Sequence, residues 1–259
     1  MGLKRLWAAG PDPVFVIGTG RSGTHWLAES LIGHPELMVT LEVHPRFPWA
    51  TAMALDPGLQ PRLLPKLIRN YRFAARRWAP RRLVDKSHPN LWMAEALQAA
   101  FPQATFLAIQ REVYATVASM IRMAPVKAWH DQWRQYPIPN PFLGISSATA
   151  ERYASLTLPE QCTLRWLAHR DRLRQLVPLL GEQLLVVAYE TLMDDTRATL
   201  DRVATALRLS SPIAPPPVHT ESRTKWTQLL TTADTDRIDA LVAAWDRGDL
   251  QPRPLVELS

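Results

Sequence analysis

The residues able to do chemistry follow closely on short apolar runs. Gly18-Thr-Gly-Arg-Ser-Gly-Thr-His-Trp26 comes directly after Val14–Ile17 and leads into a helical pattern. A glycine-rich turn between a strand and a helix leaves backbone N–H groups and the positive end of the helix dipole facing whatever lies in the turn. That suits a phosphate or a sulfate. Arg21 adds a cation inside the turn. Arg111, just after the apolar run Thr105–Ile109, places a forked guanidinium donor at a strand end. Taken singly, it reads as an ordinary surface residue. Glu42, Lys86 and His88 supply a carboxylate, an ammonium and an imidazole, the groups needed to move a proton and neutralise charge. Each also has a plainer reading, as a salt bridge or cap at a strand end.

The elements that must position these groups can be read from hydrophobic patterning. Short apolar runs at Val14–Ile17, Leu37–Leu41, Leu83–Asp85, Thr105–Ile109 and Leu184–Ala188 suit parallel strands covered on both faces. Helical patterns lie between and after them at Thr24–Ile32, Asn90–Ala100, Val113–Met123, Pro159–Val177, Thr196–Leu207 and Thr235–Trp245. The alternation predicts an α/β fold of three layers, with a mostly parallel central sheet flanked by helices. Ligand sites of such sheets lie beyond the C-terminal strand ends. Gly18–Thr24, Glu42, Lys86 and Arg111 all follow a predicted strand, so they should converge on one edge.

Composition narrows the class. The chain has 259 residues, 47% hydrophobic, enough for one domain spanning 1–259 with a sizeable core. The net charge of +6 favours anionic partners, including nucleotides and acidic surfaces, but is too modest to argue for nucleic acid. Cys162 is the single cysteine, which excludes an intrachain disulfide and a thiolate metal cluster, and makes the cytoplasm the natural compartment. No apolar run approaches a membrane span. Two segments read as insertions or lids. Residues 60–82 carry eight basic residues and no acid, which suits either a solvated helix face or a grip on an acidic partner or membrane surface. Residues 125–153 are proline-rich and aromatic, and read as an irregular segment that covers a substrate pocket or is pinned to the core.

Gly18 and Gly23 have the glycine spacing of a nucleotide-hydrolase loop, but that loop next requires Lys and Ser or Thr for the phosphates and Mg²⁺. Thr24 and His25 stand there instead, so no metal bound in that way is expected. The run Arg21-Ser-Gly-Thr-His-Trp26 resembles the 5′-phosphosulfate loop of sulfotransferases that use 3′-phosphoadenosine 5′-phosphosulfate (PAPS), with His25 in place of the usual second Thr. Arg111 and Ser119 resemble that family's 3′-phosphate pair, with Glu112-Val113 in place of the usual Asp-Pro. Phe101-Pro-Gln-Ala-Thr-Phe106 is similar to the family's approach to that Arg. Val187-Ala-Tyr-Glu-Thr-Leu192 is similar to the segment whose Tyr lies near the adenosine, and Arg223-Thr-Lys-Trp226 to a late basic element.

The resemblance implies a P-loop-like sulfotransferase fold and sulfuryl transfer to a hydroxyl, with the product PAP leaving. It implies cofactor contacts at Gly20, Arg21, Ser22, Gly23, Thr24, His25, Trp26, Arg111, Ser119, Tyr189 and Arg223 or Lys225. Arg21 and Lys86 are the implied cations at the reacting centre. Glu42, preceded by His34-Pro-Glu36, matches the base of tyrosylprotein sulfotransferases; His88, two residues after Lys86, matches the base of cytosolic ones. Glu42 is the favoured base, and His44 is a third candidate. The expected acceptor is a small hydroxyl compound, with a glycan or lipid left open, and peripheral membrane contact is also left open. The competing readings are a P-loop nucleotide kinase or phosphotransferase, and a PAP-binding module without catalysis.

Overall fold

The computed structural model describes residues 10–216 and 224–250. They fall into two compact units, one within Met1–Glu112 and Arg170–Thr220, the other within Val113–His169 and Glu221–Ser259.

The first unit is built on a five-stranded parallel sheet of order β2-β3-β1-β4-β5, where β1 is Val14–Gly18, β2 Leu37–Leu41, β3 Arg82–Lys86, β4 Thr105–Gln110 and β5 Leu184–Ala188. All five strands stand where the apolar runs predict them. Successive side chains of a strand point to opposite faces, and the core divides on that period. Phe15, Ile17, Leu83, Phe106 and Ala108 pack on one face against α2 (Arg46–Leu55), α3 (Gln60–Trp78), α4 (Ala94–Ala100) and Leu173, Leu176 and Leu180. Val14, Val16, Val84, Leu107 and Ile109 pack on the other against α1 (Thr24–Glu29), α9 (Tyr189–Asp194) and α10 (Thr196–Leu207). With helices on both faces, the strands are mostly apolar, and the three-layer expectation holds.

The register aligns the strand ends. Leu41 pairs with Lys86, Val16 with Lys86, Gly18 with Ile109 and Gln110 with Ala188. The residues immediately beyond those positions therefore leave the sheet at one edge.

Several helices depart from the sequence reading. Helix α2 was not among the predicted helices. Helix α4 begins at Ala94, because His88–Met93 form 3-10 turns. Residues 60–82 are mostly the regular helix α3, which buries Leu63, Leu67, Tyr71 and Ala75 at every fourth position.

The second unit is helical: α5 (Val113–Met120), α6 (Ala124–Asp131), α7 (Ser147–Tyr153), the first half of α8 (Leu158–Leu180) and α11 (Thr232–Asp246). The stretch 125–153, expected to be irregular, contains α6 and α7. Helix α7 is fixed by a capping box between Ser146 and Thr149. Phe142 and Tyr153 are fully buried, so these aromatics pin the segment to its own core. Helix α11 starts three residues earlier than predicted, at a second capping box between Thr231 and Asp234.

Candidate active site

The loop after β1 is shaped by close backbone contacts. Gly23 caps α1 in the left-handed region, φ 99°, and a Cβ there would lie 2.5 Å from the Tyr189 ring. A Cβ on Gly20 would lie 3.0 Å from His88 Nε2. Gly23 is required by its left-handed backbone and the ring beside it, whereas a side chain at Gly20 would need the His88 ring to give way. Ser22 is fully buried; its N–H donates to the Thr19 carbonyl at 3.1 Å, and its hydroxyl reaches the carbonyls of Thr19 at 2.6 Å and Ile109 at 3.1 Å. Its side chain thus fastens the loop to β4. Thr24 is buried at the first position of α1, Trp26 packs against the core beside it, and Arg21 is exposed. The His25 side chain is half exposed and lies 3.3 Å from Glu29 one turn on, so it runs along the helix surface.

Glu42, Lys86 and His88 meet at the ends of β2 and β3. The Glu42 N–H donates to the Lys86 carbonyl at 2.9 Å. The carboxylate Oε1 accepts from Lys86 Nζ in an ion pair and also faces His88 Nδ1 at 3.3 Å. Phe47 packs against the His88 ring, with centroids 5.6 Å apart. Burial pushes the Glu42 carboxyl up, but the hydrogen bond from His88 and the charge and hydrogen bond of Lys86 outweigh it and hold the pKa at about 2. Burial pulls the Lys86 ammonium below its ordinary value; Glu42 opposes this and Arg21 adds to it. Lys86 nevertheless stays the cation of a direct ion pair. Among the described residues, Arg21 (φ 79°) and Glu42 (φ 49°) are two of three non-glycine residues with positive φ. Such strain persists only where the surroundings over-determine it, and it gathers at functional sites.

Arg111, beyond the end of β4, stacks its guanidinium on the Tyr189 ring at 4.2 Å, while the Gly23 backbone abuts the same ring. The Glu112 N–H donates to Glu190 at 3.1 Å, which ties the end of β4 to α9. The first unit thus brings together the Gly18–Thr24 loop, Glu42, Lys86, His88, Arg111 and Tyr189. Ser119 lies on α5 of the second unit, and Lys225 is exposed in a 3-10 turn of that unit. Trp226 there stacks on Tyr114, with centroids 4.9 Å apart. Arg223 lies outside the described residues. His44 is exposed, and Glu36 is held by the Ser210 N–H and hydroxyl at the start of β2.

Sequence reasoning missed the buried network beneath Lys86. Asp85 is fully buried, 3.3 Å from Arg46 Nε, and accepts from Tyr71 Oη at 2.8 Å and Thr40 Oγ1 at 3.0 Å. Asn90 Nδ2 donates to Tyr71 Oη at 2.8 Å. The available signal was an acid within an apolar strand, next to the candidate lysine. A buried carboxylate must be paired, and here its partners come from α2, α3 and β2.

A strand–turn–helix anion cradle, two cations, and an acid–imidazole pair at one parallel-sheet edge suit transfer of a charged group. The relatives agree in architecture. A search of curated proteins found no match. Among solved structures, the sulfotransferase domain from the curacin biosynthetic pathway aligns with TM-score 0.56 at 17% identity, over 91% of this chain and 99% of that one. The sulfotransferase domain of the Synechococcus PCC 7002 olefin synthase gives 0.54 at 17% identity, over 92% and 96%. Mouse sulfotransferase SULT7A1 complexed with PAP gives 0.52 at 16% identity, over 95% and 90%. At these identities the likeness speaks for the fold. A model of the sulfotransferase family matches residues 45–212, a span that holds Lys86, His88, Arg111 and Tyr189, and on that match the chain belongs to the sulfotransferase family.

Proposed function

We propose that the chain transfers a sulfuryl group from PAPS to a hydroxyl of a small-molecule acceptor, with Glu42 receiving the acceptor's proton. The observation that carries this reading is the Glu42–Lys86–His88 cluster at the same sheet edge as the glycine loop. The residues present fit the ligand. Gly20 and Gly23 keep the loop backbone free of side chains, Arg21 and Lys86 are cations at the reacting end, and Arg111 stacked on Tyr189 is a forked donor for a second phosphate. When bound, PAPS supplies the sulfuryl group and a phosphate leaving group.

Sulfuryl transfer resembles phosphoryl transfer, with a loose transition state that needs alignment and charge neutralisation more than a strong nucleophile. The acceptor oxygen becomes acidic only as its bond to sulfur forms. A weak base in the right place therefore suffices, and Glu42, with its pKa at about 2, is ionised at neutral pH and able to receive that proton. Its side chain is 31% exposed against 8% for His88, so an incoming hydroxyl meets the carboxylate first. His88 and Lys86 hold the carboxylate by one oxygen, and Lys86 keeps further N–H groups for the leaving group. A second reading rests on the low Glu42 pKa: Glu42 then orients His88, and the imidazole is the base. No step calls for a metal, and no nucleic acid enters this reading.

The test pairs labelled-sulfate transfer to a panel of alcohols and phenols with calorimetric PAP binding. Glu42→Gln should lower transfer by roughly 10²–10⁴-fold and leave PAP binding intact. Arg111→Ala should weaken PAP binding on the order of tenfold or more. Transfer at the wild-type rate in both Glu42→Gln and His88→Ala would overturn the assignment of the base. PAP binding without transfer to any acceptor would favour a binding module. Magnesium-dependent ATP binding in place of PAP binding would favour a phosphotransferase.

A further inference from the structure

Helix α3 is divided lengthwise. Leu63, Leu67, Tyr71 and Ala75 face the core. Arg62, Lys66, Arg69, Phe73 and Arg76 recur at three- and four-residue steps on the opposite side, and all are exposed. Arg72, Arg77 and Arg81 flank them and are exposed as well. No acid occurs anywhere from Gln60 to Arg82. These seven cations, six on α3 and Arg81 just past its end, exceed the whole net charge of +6, so the remainder of the chain is nearly neutral and the net positive charge is concentrated on α3 and the turn that follows it. At the centre of the basic row stands Phe73, 66% exposed, the most exposed of the large hydrophobic side chains described. Farther along, Arg77 and Arg81 lie over the Trp78 ring at 5.6 and 5.4 Å.

We propose that this face of α3 seats the chain on a membrane surface rich in anionic lipid head groups. The cations supply a long-range attraction that falls off within a Debye length. Phe73 supplies the apolar contact: it carries no hydrogen-bonding group and gains free energy only if water is removed from its ring. A bilayer offers both, since an apolar boundary lies directly beneath the charged head groups. The convex side of a helix also suits a broad, deformable anionic surface better than a shaped pocket would. The buried stripe of α3 belongs to the core, so the contact is peripheral. None of the described helices is long and apolar enough to cross a membrane. An acidic protein or a nucleic acid would be drawn by the charge as well, but neither calls for a lone phenyl ring at the middle of the basic row.

The experiment is co-sedimentation of the full chain with vesicles of phosphatidylcholine alone and of phosphatidylcholine mixed with phosphatidylglycerol, at low and physiological salt. Binding should require phosphatidylglycerol and weaken as salt rises. Each cation near an anionic surface contributes about a fivefold factor in partitioning, so the double variant Arg69→Gln/Arg76→Gln should bind at least tenfold more weakly. Phe73→Ser keeps every charge and should still lose several-fold. These side chains are exposed, so melting temperatures should match the wild type and exclude unfolding as the cause. Absence of binding to the anionic vesicles, or binding unchanged in the double variant, overturns the proposal. So does binding that soluble poly-glutamate or duplex DNA abolishes while Phe73→Ser has no effect, because the face would then be a polyanion surface. None of these readouts uses sulfate transfer, so the outcome is independent of the catalytic reading.

Discussion

At the residue scale, the chemistry turns on one carboxylate shared by two donors. Glu42 is buried enough that desolvation alone would raise its pKa, yet His88 and Lys86 hold it at about 2. Its folded value lies below the ordinary carboxyl value of 4.5, so its contribution to stability is complete above about pH 4.5 and is lost as pH falls towards about 2. Thermal melts across that window should show an acid-sensitive component that Glu42→Gln removes. The activity profile separates the two bases. With Glu42 as base, this group produces no rate limb near neutrality. A rate limb that disappears in His88→Asn would move the role to the imidazole.

At the element scale, the site depends on strand ends and on the contacts that hold their turns. Gly23 takes a left-handed conformation against the Tyr189 ring. Gly23→Ala should cost about 1–3 kcal/mol of stability and, by displacing the ring on which Arg111 stacks, weaken PAP binding; differential scanning calorimetry and titration read the two effects separately. Beneath Lys86, Asp85 is the counter-charge of Arg46, both buried. Asp85→Asn leaves a buried guanidinium uncompensated and should cost about 3–5 kcal/mol in denaturant unfolding. Tyr71→Phe removes one hydrogen bond of that network and should cost about 1–3 kcal/mol. Equal losses in the two variants would mean that the charge pair contributes nothing beyond its hydrogen bonds. Of these parts, the glycine loop was legible in sequence, because a strand followed by closely spaced glycines has few other uses. The network was not, since its members come from β2, α2, α3, β3 and the turn after it.

At the scale of the whole molecule, the second unit holds a fully buried charge with no carboxylate partner among the described residues. Arg165 is fully buried, with its guanidinium over the rings of Phe142 at 4.6 Å and Trp129 at 5.2 Å. Its neighbours His130 and Cys162 are buried too, and burial holds the imidazole down at about 3 and pushes the thiol up to about 12. Arg165→Met keeps the volume without the desolvation cost and should leave stability unchanged or raise it by about 1–4 kcal/mol in denaturant unfolding; a large loss would show that the cation–ring contacts outweigh burial. The sequence by itself determined the parallel α/β architecture, the glycine loop and the strand-end location of Glu42, Lys86, His88 and Arg111, because hydrophobic period and turn chemistry are local properties of the chain. Only the tertiary structure decided that one Glu42 oxygen serves both Lys86 and His88, that the Ser22 hydroxyl fastens the loop instead of facing out of it, and that the cations of α3 share an exposed face around Phe73. Those outcomes depend on strand register and helix rotation, which are set by packing between segments far apart in the chain.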